Sequence, residues 1–128
     1  MTQEGSIQSF MDLRVWQEAM ALVEDCYVMT KGFPKEEIYG LTSQLRRAAV
    51  SVPANIAEGY GRENKGSYLQ HLKIAQGSLR ELQTHTLIAL RLRFVDESKC
   101  RPVLDKCETV AKMLNGLIRS LQRHEPQE

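Results

Sequence analysis

Between residues 68 and 89, seven side chains suited to a core recur at spacings of four, three, four, three, four and three: Tyr68, Leu72, Ala75, Leu79, Leu82, Thr86 and Ala89. A period near 3.5 gathers them into one stripe along an α-helix, whereas a strand, whose side chains alternate with period two, would scatter them over both faces. Related stripes occur in three other segments. Trp16, Ala19, Met20, Val23, Cys26, Tyr27 and Thr30 line one face of a segment that Asp12 can cap and "KGFP" ends. Leu41, Leu45, Ala49, Val52 and Ile56 form the second. The last runs through Cys100, Val103, Leu104, Cys107, Val110, Ala111, Leu114, Leu117, Ile118 and Leu121, with Pro102 tolerated in its first turn. Strand-like alternation is nearly absent.

The fold class this implies is all-α, an antiparallel up-down four-helix bundle with helices over about 12–31, 35–59, 64–93 and 97–123. A flexible N-terminal arm (1–11) and a frayed tail (124–128) flank it. Pro34, Glu36 and Glu37 suit the first turn of the second helix, although Gly40 interrupts it and Leu41 or Thr42 is an alternative start. That helix ends at Gly59 or Gly61. The third begins near Asn64 or Ser67, and Ser67 with Gln70 has the spacing of a capping box.

With 128 residues, 42% of them hydrophobic and 26% charged, the chain has the profile of one soluble domain. No apolar run reaches the roughly 18 residues of a membrane span. The N-terminal stretch lacks the pattern of a signal peptide, so a cytoplasmic protein with no membrane partner is expected. Cys26, Cys100 and Cys107 contain no C-x-x-C pair and read as buried thiols. His71 and His85, fourteen residues apart on one helix, lie about 21 Å from each other and have no second ligand nearby, so no metal site is expected. "GYGR" follows a helix and lacks the Lys-Ser/Thr of a phosphate loop, and no cofactor is expected. Glu58 with Asn55 is one carboxylate without a nucleophile or a base. No catalytic set forms, and an enzyme is not expected.

The stretch "RRAAVSVPANIAEGYGR", residues 46–62, carries apolar residues on two faces. Leu45, Ala49, Val52 and Ile56 face the core, while Val50, Ala54 and Ala57 lie roughly opposite, where a monomer would leave them in water. A second subunit is the simplest cover. Between the faces run Gln44, Arg47, Ser51, Asn55, Glu58 and Arg62, with Glu58 and Arg62 a favourable i,i+4 pair. The candidate subunit interface is therefore Gln44, Arg47, Val50, Ser51, Ala54, Asn55, Ala57 and Glu58, read as a hydrogen-bonded seam. Pro53 bends the helix to follow the partner.

Net charge is only +1, yet residues 38–93 hold eight basic side chains against three acidic ones. Lys73, Arg80, Thr84 and Arg91 fall on one side of the third helix, away from its core stripe, and Arg46, Arg62 and Lys65 extend the patch. These six cations, Arg46, Arg62, Lys65, Lys73, Arg80 and Arg91, are candidates for binding RNA or DNA. The alternative is a scaffold whose partner is another protein, with Glu18, Glu24 and Asp25 facing a basic surface.

The blocks "FMDLRVWQEAMAL", "FPKEEIYGLTSQLRRAAVSVPANIAEGYGR", "YLQHLKIAQGSLRELQTHTLIA" and "KMLNGLIRSL" resemble the bacterial 23S-rRNA intervening-sequence proteins, over about residues 10–121. The resemblance implies a four-helix bundle assembling as a homopentameric ring, with no associated enzymatic activity. It is also similar to the accessory variability protein of diversity-generating retroelements, a pentameric bundle that binds nucleic acid and a reverse transcriptase.

Overall fold

The computed structural model describes residues 6–123. Four α-helices carry the chain: α1 (Arg14–Thr30), α2 (Leu41–Tyr60), α3 (Lys65–Arg91) and α4 (Glu97–Arg123). Two 3-10 turns, Phe10–Asp12 and Lys35–Glu37, precede α1 and α2. No strand occurs among the described residues. Helix α1 packs against α2 and α4, α3 packs against α2 and α4, and one core fills the space between them. Its largest fully buried side chains include Leu22, Leu45, Ile56, Leu72, Leu79, Leu82 and Leu114.

The stripe on α3 is the core face: Leu72, Ala75, Leu79, Leu82, Thr86 and Ala89 are buried, and Tyr68 packs at the edge. Thr86 sits there without cost to its hydroxyl, which donates to the Leu82 carbonyl at 2.9 Å. Along α4 the buried residues are Cys100, Val103, Cys107, Val110, Leu114 and Ile118, members of the expected stripe.

Helix α1 departs from expectation. Its buried line is Val15, Ala19, Leu22, Cys26, Met29 and Thr30, while Met20 and Tyr27 are exposed. The register is rotated relative to the expected stripe, with Trp16 and Val23 partly buried at the edge of the core. Trp16 stacks edge-on against Phe10 at 5.2 Å, and Tyr27 lies under the Arg46 guanidinium. Ser9 caps the Phe10–Asp12 turn, its hydroxyl accepting from the Met11 amide. Asp12 completes the capping box by accepting from the Gln8 and Ser9 amides, so that Leu13 and not Asp12 is the N-cap residue of α1.

Helix α2 begins at Leu41, not at residue 35. Lys35–Glu37 is a turn of its own, and Glu37 reaches forward so that its Oε1 accepts from the Leu41 amide at 3.0 Å. Glu37 thus satisfies one of the free amides of α2 from outside the helix. Pro53 is buried within α2, and the helix is continuous through it. Helix α3 is capped by Asn64, whose Oδ1 accepts from the Ser67 amide at 2.7 Å, so Ser67 lies inside the first turn instead of capping it. The tail 124–128 and the first five residues of the arm lie outside the described residues.

Candidate functional site

Helices α2 and α3 form the most extensive pair in the fold. Gly59 permits their approach. A Cβ there would stand 2.8 Å from the Cβ of His71 and 3.0 Å from the Tyr68 ring. Beside it, Tyr60 and Tyr68 meet edge to face at 6.1 Å. The approach brings polar groups of the two helices together. Asn55 donates through Nδ2 to the Ser51 carbonyl (2.9 Å) and hydroxyl (3.1 Å). Its Oδ1 lies 3.0 Å from His71 Nδ1, so that ring nitrogen carries the proton. The Ser51 and Ser78 hydroxyls are 2.7 Å apart. Ser51 and Asn55, assigned from sequence to a seam between subunits, thus spend these hydrogen bonds within their own chain.

The rest of the candidate interface lies outward. Gln44, Arg47, Val50, Ala54 and Glu58 are exposed along α2, and Ala57 is half-buried. Val50 retains 44% of its surface. At the N-terminal end of this face a groove of about 460 Å³ opens between α1 and α2, lined by Tyr27, Ile38, Tyr39, Arg46, Arg47 and Val50 among others. Tyr39 is 94% exposed there. Reading "PKEEIYG" as a helical turn concealed this, because a tyrosine on a helix start carries no mark of its exposure.

The six candidate basic residues differ in burial and in partners. Arg46 is half-buried and tied to α1. Its guanidinium lies 4.3 Å above the Tyr27 ring and its Nε donates to the buried Thr30 hydroxyl at 2.8 Å. Thr30 in turn donates to the Cys26 carbonyl at 2.8 Å. Arg62 pairs with Glu58 at 2.6 Å, both exposed. Lys65, the first residue of α3, is half-buried. Lys73, Arg80 and Arg91 are exposed and make no ion pair among the described residues. Arg80 is steadied by Nη1 donating to Gln83 Oε1 at 3.2 Å, and its carbonyl accepts from Thr84. Exposed Ile74, Leu87 and Ile88 share α3 with them.

Three buried free thiols, Cys26, Cys100 and Cys107, lie in the core. Burial, reinforced by neighbouring Cys107, pushes the Cys26 thiol far up. Burial and Glu108 push Cys107 up to about 12. Thiols held protonated are poor nucleophiles. His85 directs Nε2 at Glu81, 3.3 Å away, and its Nδ1 is buried without a hydrogen-bond partner among the described residues. No group of three His, Cys, Asp or Glu able to hold a metal ion occurs among the described residues. No helix among them is long and apolar enough to cross a membrane.

These features define a four-helix all-α protein. The family model described as 23S rRNA-intervening sequence protein matches residues 11–116. The chain belongs to that family. Comparison with curated proteins gave no match.

Proposed function

We propose that this chain is the subunit of a non-enzymatic, cytoplasmic homopentamer, a ring of antiparallel up-down four-helix bundles that binds nucleic acid along α3. The observation that carries the nucleic-acid reading is that Lys73, Arg80 and Arg91 stand exposed on α3 with no carboxylate partner among the described residues. Repetition in a ring would raise the effect of each weak contact through effective concentration.

The assembly reading is supported by two separate sets of exposed apolar residues. One is Ile38, Tyr39 and Val50 beside α2, and the other is Ile74, Leu87 and Ile88 on α3. A ring with an odd number of subunits needs heterologous contacts, in which two different patches of each subunit meet. Of the expected interface, Val50, Ala54 and Ala57 remain the apolar centre of this proposal, with Gln44, Arg47 and Glu58 at its rim.

Fluorescence anisotropy with labelled single-stranded and duplex RNA and DNA, at about 50 and 200 mM salt, tests the nucleic-acid reading, since phosphate contacts weaken most visibly over that range. Binding should fall steeply with salt and be largely indifferent to sequence, because phosphate contacts position a strand without reading its bases. Arg80→Ala with Arg91→Ala should flatten the salt slope and leave the oligomer intact. Absence of binding by micromolar protein at the lower salt would replace this reading with the scaffold. The groove with Tyr39 almost fully exposed is the observation that favours a protein partner instead.

A further inference from the structure

Arg93 is the one residue other than glycine with a positive φ among the described residues, at 63°. It sits where α3 ends, with Leu92 as C-cap, the Arg93 amide donating to the Leu90 carbonyl (3.1 Å) and the Phe94 amide to the Ala89 carbonyl (3.0 Å). This pair of bonds is a Schellman closure, and the position Arg93 holds in it is the one glycine fills most readily. A side chain with a Cβ costs about 1–2 kcal/mol there. The helix dipole does not account for the arginine, because Arg91 already supplies a cation in the last turn.

Arg93 lines a groove of about 810 Å³ at this end of the fold. Its cationic lining is Lys31 from the end of α1, Arg93, and Lys99 from the first turn of α4. None of the three makes an ion pair among the described residues. The single carboxylate in the lining, Asp96, accepts from the Ser98 hydroxyl (2.7 Å) and the Lys99 amide (3.1 Å) at the start of α4, which hold it ionised, so the lining carries three cations against one anion. Phe94, against Phe33 at 6.0 Å, anchors the loop and so fixes where Arg93 stands.

We infer that this end groove is a phosphate-binding station for a single-stranded nucleic acid, with Arg93 held in a strained backbone position for the sake of its charge. The inference rests on the nucleic-acid reading above and names where the strand leaves α3. Arg91 is exposed and precedes Arg93 by two residues, outside the groove's own lining, so an extended polyanion on Arg80 and Arg91 passes close in the chain to the groove's three cations. That nearness to the exposed cations of α3 favours a strand, which can reach both, over a compact anion, which cannot.

Arg93→Gly separates strain from function. Relief of the positive φ should raise the melting temperature by about 2–6 °C at fixed protein concentration. The same variant should bind a labelled single-stranded oligonucleotide about five- to tenfold more weakly at about 50 mM salt, with a shallower salt slope, as loss of a phosphate contact requires. Lys31→Ala with Lys99→Ala, which leaves the α3 closure untouched, should weaken binding without the gain in stability. Wild-type protein that binds no oligonucleotide removes the underlying reading and this inference together. Wild-type protein that binds, with Arg93→Gly binding equally well or gaining no stability, overturns this inference alone. Binding of polyglutamate in place of the oligonucleotide overturns it in favour of an acidic protein partner.

Discussion

Gly59 has no side chain, and the space beside it is already taken. With a Cβ only 2.8 Å from His71 Cβ, Gly59→Ala must push α3 away from α2. It should cost about 1–3 kcal/mol, the range for overpacking a close contact, measured by urea unfolding. A cost under about 0.5 kcal/mol, the surface range, would contradict the packing at this point. The same approach sets the hydrogen bonds of Asn55 and His71. Asn55→Ala leaves Ser51 and His71 without their shared partner and should cost about 1–3 kcal/mol. Little of this was legible in the sequence. Gly59 reads there as a helix terminator, and its closeness to His71 depends on how two helices meet. Arg46 is a similar case, since nothing local to "RRAA" reveals that the buried Thr30 accepts its Nε–H.

At the scale of elements, α3 and α4 were legible because each carries a long stripe of buried residues in a single register. Leu79→Ala, which empties a fully packed site at the middle of the α3 stripe, should cost about 2–5 kcal/mol in the same unfolding measurement. Helix α1 was less legible, because apolar residues lie on both sides of it. Val15, Leu22 and Met29 complete the buried side, while Trp16 meets Phe10 and Tyr27 meets Arg46 away from its centre, contacts that periodicity does not encode. The start of α2 was set by Glu37 capping from outside the helix, which periodicity cannot register.

The buried thiols of α1 and α4 give this level a pH signature. In the folded chain Cys26 and Cys107 stay protonated well above the ordinary 9.0, Cys107 to about 12. Unfolding would let them ionise. Their contribution to stability is therefore complete below pH 9.0 and is lost as pH rises from there toward about 12. The unfolding free energy should fall over that window, by up to about 1.4 kcal/mol per pH unit for each thiol, and the urea midpoint with it. Cys26→Ala with Cys107→Ala should flatten the fall, and a wild-type midpoint that holds steady would contradict the burial of these thiols.

For the whole molecule, the sequence carried the family and the four helices, and it placed apolar residues on both faces of α2. Val50 and Ala54 are exposed on that second face, whereas Ser51 and Asn55 turn toward α3 and find partners in their own chain. No periodicity within one chain encodes how many copies meet, so subunit number came only from the family resemblance. The nucleic-acid and scaffold readings both depend on assembly. Ala54→Arg sets a charge on the outer face of α2 and should break the oligomer while leaving the helical content unchanged. The most direct test of the assembly is the mass of the wild-type particle by light scattering coupled to size exclusion. The expected result is five times the 14.6 kDa of the chain. A particle of 14.6 kDa would contradict the assembly outright, and a stable oligomer of another size would contradict the pentamer.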